Sequence, residues 1–212
     1  MSPNLIICNH HFNLLPQKAI FWQEHQCLII ADLHLGKTSH FRKNGIALSN
    51  DSAQKDLEKL QKLILEKQPK SIIILGDLFH SDYNSEWEKF KQLRNYFSAI
   101  QFILVKGNHD IIHPAIYQNA EISVHERLVI DGFLFSHDKT ENIDCVFQFY
   151  GHTHPGIKIM GKGKQSLKLP CFAQKGNMLM LPAFGELTGL HLINRKDFIK
   201  IYPVVSNKII ML

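Results

Sequence analysis

Ser71-Ile72-Ile73-Ile74-Leu75-Gly76-Asp77 is the stretch on which the fold turns. From Ile72 to Leu75 it is apolar without interruption. A strand with one wet face would alternate, so this run predicts a strand buried on both faces, as in a parallel sheet covered by helices. It then breaks at once into Gly76-Asp77. The same design recurs on either side: Cys27-Leu28-Ile29-Ile30-Ala31 runs into Asp32-Leu33-His34, and Gln101-Phe102-Ile103-Leu104-Val105 into Gly107-Asn108-His109-Asp110. Helical patterns fill the intervals. Asn50 or Asp51 is placed to cap a helix with Leu57, Leu60 and Ile64 on one face, ending before Pro69. A second helix is predicted from Ser85 to Ser98, with Trp87, Phe90, Leu93 and Phe97 at core-packing spacing. Ala19-Ile20-Phe21-Trp22 and Cys27–Ala31 read as two strands joined by the polar turn Gln23 to Gln26.

Beyond about Glu121 the rhythm changes to short strand-like runs: Leu128 to Ile130, Phe133 to Ser136, Val146 to Tyr150, Met178 to Leu181, Gly189 to Ile193 and Phe198 to Pro203. Alternating strands and helices followed by many strands predict an α/β layered sandwich with two sheets. The 212 residues, 45% hydrophobic and 20% charged, suit one domain over 1–212 with a sizeable core, and no repeat or low-complexity linker divides them. No apolar run reaches the ~20 residues of a membrane span. The N-terminus lacks the pattern of a secretory signal, so the expected location is cytoplasmic. The four cysteines form no C-x-x-C pair and are expected to be buried thiols. The net charge of +5 leans only weakly toward a polyanionic partner.

Thirteen histidines are the unusual count. Several stand beside Asp, Asn or Gly directly after the apolar runs: Asp32-Leu33-His34, Gly76-Asp77, Gly107-Asn108-His109-Asp110, His137-Asp138 and Gly151-His152-Thr153-His154. In an open α/β sheet the carboxyl ends of strands share one edge, where ligands bind. Carboxylates, an amide and imidazoles are hard to borderline donors, suited to Mn²⁺, Fe or Zn²⁺ rather than to a metal wanting thiolates. Asp32 and His34 lie two apart, as do His152 and His154, so each pair can face one side of an extended chain. The glycines ahead of the donors permit sharp turns. Any one cluster alone is ordinary turn chemistry. Five in succession, each behind an apolar strand, are not.

These motifs, from Asp32 to His154, resemble the signature of calcineurin-like metallophosphoesterases, with every expected position filled. The resemblance implies a four-layer αββα sandwich with a dinuclear metal site at the strand carboxyl ends. It implies that Asp32, His34 and His154 bind one ion, that Asn108, His137 and His152 bind the other, and that Asp77 bridges them. His109 would face the substrate and Asp110 would orient His109. The cofactor expected is a pair of divalent ions, Mn²⁺ first, with Fe or Zn²⁺ as alternatives. Two cations ~3.5–4 Å apart can clamp a phosphoryl group and generate a hydroxide nucleophile from water. A narrower likeness covers Ala31 to Lys37, then His40-Phe41-Arg42-Lys43 and Gly45-Ile46, and finally Leu181-Pro182-Ala183-Phe184-Gly185 with Leu187-Thr188-Gly189. These segments are similar to the PdeM-type subfamily, named as ligase-associated DNA damage response endonucleases. That likeness implies DNA as the phosphodiester substrate and DNA-repair proteins as partners.

The residues themselves leave the substrate open between a nucleic acid, a small nucleotide diester and a phosphomonoester. A scaffold that had lost catalysis is disfavoured, because no donor position is substituted. Lys37, Arg42 and Lys43 follow the first motif and could touch phosphates, or could form a solvated basic turn. Lys158, Lys162, Lys164 and Lys168 lie around Gly156, Gly161 and Gly163 in what reads as a mobile basic loop; it could follow a nucleic-acid backbone, with an exposed hairpin loop carrying solubility charge the simpler reading. His80 could reach the site or be a plain loop residue. Phe184 and Leu187 could shape the substrate edge, with core packing the simpler reading.

Overall fold

The computed structural model describes residues 3–37, 51–79, 85–141, 144–161 and 165–212. In the first sheet β1 (Asn4–Ile7), β2 (His10–Leu15) and β3 (Ala19–Trp22) run as an antiparallel meander into β4 (Cys27–Ala31). From β4 the sheet continues in parallel through β5 (Ser71–Leu75), β6 (Gln101–Val105) and β7 (Ile122–His125). The apolar runs predicted as central strands are β4, β5 and β6. Their alternation explains why they carry no polar face. Leu28, Ile30, Ile72, Ile74, Phe102 and Leu104 point to the helices, while Ile29, Ile73, Ile103 and Val105 point to the second sheet.

Among the described residues two long helices close the outer face of this sheet. α1 (Asp51–Lys67) buries Leu57, Leu60, Leu63 and Ile64 against it, and α2 (Ser85–Tyr96) buries Trp87 and Phe90. The end of α2 at Tyr96 falls two residues short of the predicted Ser98. A short α3 (Pro114–Asn119) follows, with Tyr117 buried.

The second sheet has the order β14-β11-β12-β13-β10-β9-β8, with β15 on β12 and β16 on β15. Its strands are β8 (Leu128–Ile130), β9 (Phe133–Ser136), β10 (Phe147–Tyr150), β11 (Pro155–Met160), β12 (Ser166–Lys175), β13 (Met178–Met180), β14 (His191–Leu192), β15 (Lys200–Val205) and β16 (Lys208–Ile209). Here β9, β10 and β13 are parallel. Between the sheets Phe12, Trp22, Phe133, Phe135, Phe149 and Phe172 make an aromatic core, each burial worth roughly 1.5–3 kcal/mol. The predicted α/β sandwich of two sheets is thus the architecture observed. Among the described residues the far face of the second sheet carries a small cluster around Ile157, Leu169, Cys171 and Ile201, flanked by a single 3₁₀ turn at Arg195–Asp197.

Two sequence expectations change. The basic segment is a hairpin, as the simpler reading had it, but Lys158 and Lys168 sit in its strands and not in its loop: β11 and β12 pair antiparallel, and these two lysines face each other across the ladder. Lys162 and Lys164, at its tip, lie outside the described residues. The cysteines are all free, but only Cys27 and Cys171 are buried; Cys8 is exposed.

Candidate metal centre

The parallel strands deliver the polar clusters to one edge. Asp32 and His34 leave the end of β4, Asp77 the end of β5, and Asn108, His109 and Asp110 the end of β6. From the facing sheet, His137 leaves β9, and His152 and His154 leave β10. All seven predicted donors and His109 are therefore brought together from two sheets. The donor atoms of Asp32, His34 and His154 lie within 4.8 Å of one another, as do those of Asp77, His137 and His152. Asp77 stands between the groups: its Oδ2 is 3.5 Å from His34 Nε2 and its Oδ1 is 3.6 Å from His137 Nε2. Asn108 Oδ1 lies 2.9 Å from His137 Nε2. The first group is nearly enclosed, with Asp32 and His34 buried, whereas Asn108 and His152 are exposed at the mouth.

The electrostatics of this arrangement ask for cations. Asp32 Oδ1 is buried without a hydrogen-bond partner, 3.6 Å from His154 Nε2 and 3.7 Å from His137 Nδ1. Donors that share a cation at ~2.0–2.2 Å stand ~3–4 Å apart, too far for a good hydrogen bond with one another. Burial raises the Asp32 pKa, His154 and His137 pull it down, and the charge of Asp77 raises it again. His137 Nδ1 lies 3.1 Å from the Leu75 carbonyl, which fixes its proton there. The lone pair of Nε2 then faces Asn108 Oδ1 and, at 3.0 Å, His152 Nδ1. A cation resolves that crowding of acceptors, and the donor set fits a pair of divalent ions.

Five of these residues also carry local backbone strain. Asp32, His34, Asp77, His152 and His154 all have φ between 49° and 65°. Left-handed φ in non-glycine residues costs ~1–3 kcal/mol each and persists where the surroundings enforce it. The glycines serve a second purpose besides turning. A Cβ on Gly107 would sit 2.3 Å from Asp77 Oδ1, one on Gly76 2.1 Å from His137 Nδ1, and one on Gly151 2.6 Å from Asp32 Oδ2. They leave room for the donor side chains.

His109 donates its backbone N–H to Asp77 Oδ1 at 2.9 Å, and its ring centroid is 5.6 Å from that of His34. Asp110 follows His109 in the chain, nearly wholly buried. Its carboxylate accepts from the N–H groups of Gly107 at 2.8 Å and Phe79 at 3.2 Å, with the Tyr117 hydroxyl 3.5 Å away. It ties the turn after β5 to the turn after β6. Burial is the main cause that raises its pKa to about 6, the two backbone donors opposing. Sequence reasoning did not single out Tyr117, nor Glu86, a buried carboxylate at the start of α2 that accepts from Gly36 N–H just beyond His34. Their partners are distant in sequence, so no local signal marks them.

Lys37 is half-buried, and burial lowers its pKa while Asp77 opposes the shift. Arg42, Lys43 and His80 lie outside the described residues. Phe184 is fully buried in the helix-side core.

The model of the calcineurin-like phosphoesterase family matches residues 25–154, which span β4 through His154. The chain belongs to that family. It is a hydrolase acting on phosphoester bonds, and the family carries a dinuclear metal site of which the two donor groups are the candidates here. Among solved structures, nuclease MPE from Pseudomonas putida is similar over 100% of both chains, with 27% identity and a TM-score of 0.84. The E. coli phosphoesterase Yfce matches 88% of this phosphoesterase and 97% of its own chain at 13% identity, with a TM-score of 0.48. No curated protein matches the chain. Among the described residues no helix is long and apolar enough to cross a membrane.

Proposed function

We propose that this phosphoesterase is a metal-dependent nuclease that hydrolyses phosphodiester bonds in DNA, with one domain over 1–212. The observation that carries the reading is the full-length likeness to nuclease MPE from Pseudomonas putida. Asp32, His34 and His154 would hold one divalent ion and Asn108, His137 and His152 the other, with Asp77 placed between the two groups. Mn²⁺ is the ion proposed, before Fe and Zn²⁺; carboxylate, amide and imidazole donors can hold each of the three. Bound there, the ions would supply charge stabilisation for the phosphoryl oxygens and an activated water. The protein's own contributions follow from its side chains. His137, with its proton committed to Leu75, presents a lone pair inward. His109 faces the phosphoryl group and protonates the leaving oxygen. Asp110 braces the turn from which His109 projects. Lys37, Arg42 and Lys158 are proposed to meet substrate phosphates, and DNA-repair proteins are the partner class.

A small nucleotide diester is the second reading. It is favoured by balanced charge at the rim, where Lys106 lies 4.0 Å from Glu126 and Lys139 pairs with Glu141. A panel with Mn²⁺ separates the two: single-stranded DNA, duplex DNA, RNA, cyclic nucleotides and monoesters. Cleavage of DNA that weakens when Arg42, Lys158, Lys162 and Lys164 are neutralised supports the nuclease reading. A wild-type protein inert on DNA but efficient on a small diester overturns it.

A further inference from the structure

The turn that carries Asp32 is gripped from two sides. On one side it pairs with the extension of β5: Asp32 N–H donates to Gly76 O at 3.2 Å and His34 N–H to Asp77 O at 2.8 Å. On the other side β3 has ended, and a remote segment takes its place. Phe184 N–H donates to Ala31 O at 2.7 Å and Gly185 N–H to Asp32 O at 3.2 Å. The approach is so close that a Cβ on Gly185 would lie 2.4 Å from Leu33 O.

This segment is held from behind by charged side chains of α1 and the β2–β3 turn. Lys59 Nζ donates to Phe184 O at 2.6 Å and sits 4.1 Å from the centroid of the Phe184 ring. Lys18 Nζ donates to Gly185 O at 3.2 Å, and Glu186 N–H donates to Asp56 Oδ2 at 2.9 Å. Lys59 also pairs with Asp56 Oδ1 at 3.1 Å and Glu186 Oε1 at 3.2 Å. Two successive peptide groups are thereby fixed, the second through both its carbonyl and its N–H. Lys18 and Lys59 retain only 13% and 20% side-chain exposure, so their charges are largely withdrawn from water. Core filling alone would be met by an apolar stem without that desolvation cost. What the ammonium groups add is direction, since each aims donors at a carbonyl and a carboxylate.

We infer that Lys59, with Lys18 and Asp56 beside it, is a positioning residue for the metal-ligand turn, acting through the backbone of Phe184, Gly185 and Glu186 to hold Asp32 in its left-handed conformation. The inference rests on the proposal that Asp32 binds an ion. Loosening the segment lets Asp32 leave φ 53°. It also releases the His152 N–H that Asp32 Oδ2 accepts at 2.9 Å.

The experiment compares the full chain with Lys59→Met, Lys59→Arg, Gly185→Ala and Asp32→Asn. The readouts are Mn²⁺ titration by calorimetry, bound metal after dialysis, and the thermal midpoint of the metal-free protein. Lys59→Met is expected to keep a cooperative metal-free transition yet bind one of two ions about tenfold more weakly, in line with other supporting-residue losses. Lys59→Arg should restore most of that affinity, because it retains the charge and the donors. Gly185→Ala should reproduce the weakening from the turn side, and it decides the matter alone if Lys59→Met does not fold. Wild-type affinity for both ions in a folded Lys59→Met or Gly185→Ala protein overturns the inference. Asp32→Asn guards the underlying reading: if it too binds both ions as wild type does, the assignment of Asp32 as a ligand is what fails.

Discussion

Two poles of the sandwich carry a cluster of two histidines and a carboxylate, and they are not equivalent. At the carboxyl end of the strands, His137 commits its Nδ1 proton to a carbonyl and turns an open Nε2 toward other donors. At the opposite end, ahead of β4 and β9, the ligand atoms of His10, His25 and Asp131 also lie within 4.8 Å of one another. There the Trp22 indole N–H donates to His10 Nδ1 at 3.1 Å. An indole nitrogen only donates, so the neutral His10 ring carries its own proton on Nε2 and offers no lone pair there. His25 Nε2 meets Asp131 Oδ2 at 2.7 Å as an ordinary hydrogen-bonded pair between two turns. Asp131 is exposed and fully solvated on one side, while Asp32 is buried with an orphaned oxygen. Within each group of three the residue types and spacing are shared; tautomer and desolvation separate a place that needs a cation from one that does not.

The harshest test of this contrast is removal of metal. Chelation with EDTA should abolish hydrolysis of an aryl phosphodiester, and Mn²⁺ should restore it. Full turnover by stripped protein would break the assignment at the strand ends. Next in size, Asp77→Ala should release both ions, because each of its oxygens faces a different group, whereas His34→Ala should weaken one. His10→Ala and His25→Ala should leave metal content unchanged. Mass spectrometry of metal-to-protein ratios measures all four, and two ions retained in Asp77→Ala would deny it the shared position.

His109→Ala sharpens the contrast between holding metal and acting on substrate. It should keep both ions and lose about 10²–10⁴-fold in turnover of a diester with a poor leaving group. The loss should be smaller for nitrophenolate, which departs without a proton. Equal losses on both would remove the proton-donor role.

The smallest expected effect is on stability and lies beside neither cluster. Burial, and then the charge of Lys59, lowers the Lys18 pKa to about 8, with Glu186 and Asp56 opposing. In the unfolded chain a lysine titrates at about 10.4. Between those values the unfolded state binds more protons, so the contribution of Lys18 to stability rises with pH; below about 8 its burial cost is present in full. Lys18→Met should therefore flatten the wild-type curve by roughly 1–3 kcal/mol between pH 8 and 10. Denaturant unfolding across that range measures the difference curve, and parallel curves would refute the burial cost.

The central strands were legible because Ile72 to Leu75 and its counterparts are apolar on both faces, a pattern that only a covered sheet satisfies. The donors were legible because each follows such a strand directly. β1, β2, β7 and the strands β11 and β12 were not read. Their residues mix polar and apolar types: β2 begins His10-His11, and β11 holds an exposed Lys158 beside a buried Ile157. Their strand character comes from partners supplied by tertiary structure. Asp110 was read from its neighbour His109, yet its partners Phe79 and Gly107 belong to two different turns, which sequence adjacency cannot reveal. The Lys59 contact with Phe184 spans 125 positions, and nothing local announces it.

Gly107 has no side chain to offer a metal, yet a methyl group there would collide with Asp77 Oδ1 and, at 2.4 Å, with the Asp77 backbone nitrogen. The collision is with the one side chain that both donor groups share. In a library of every single substitution, selected only for hydrolysis, position 107 should thus be depleted as severely as Asp77 itself. Tolerance to mutation, mapped blind to chemistry, would outline not the ligands alone but also the empty volume that lets them converge.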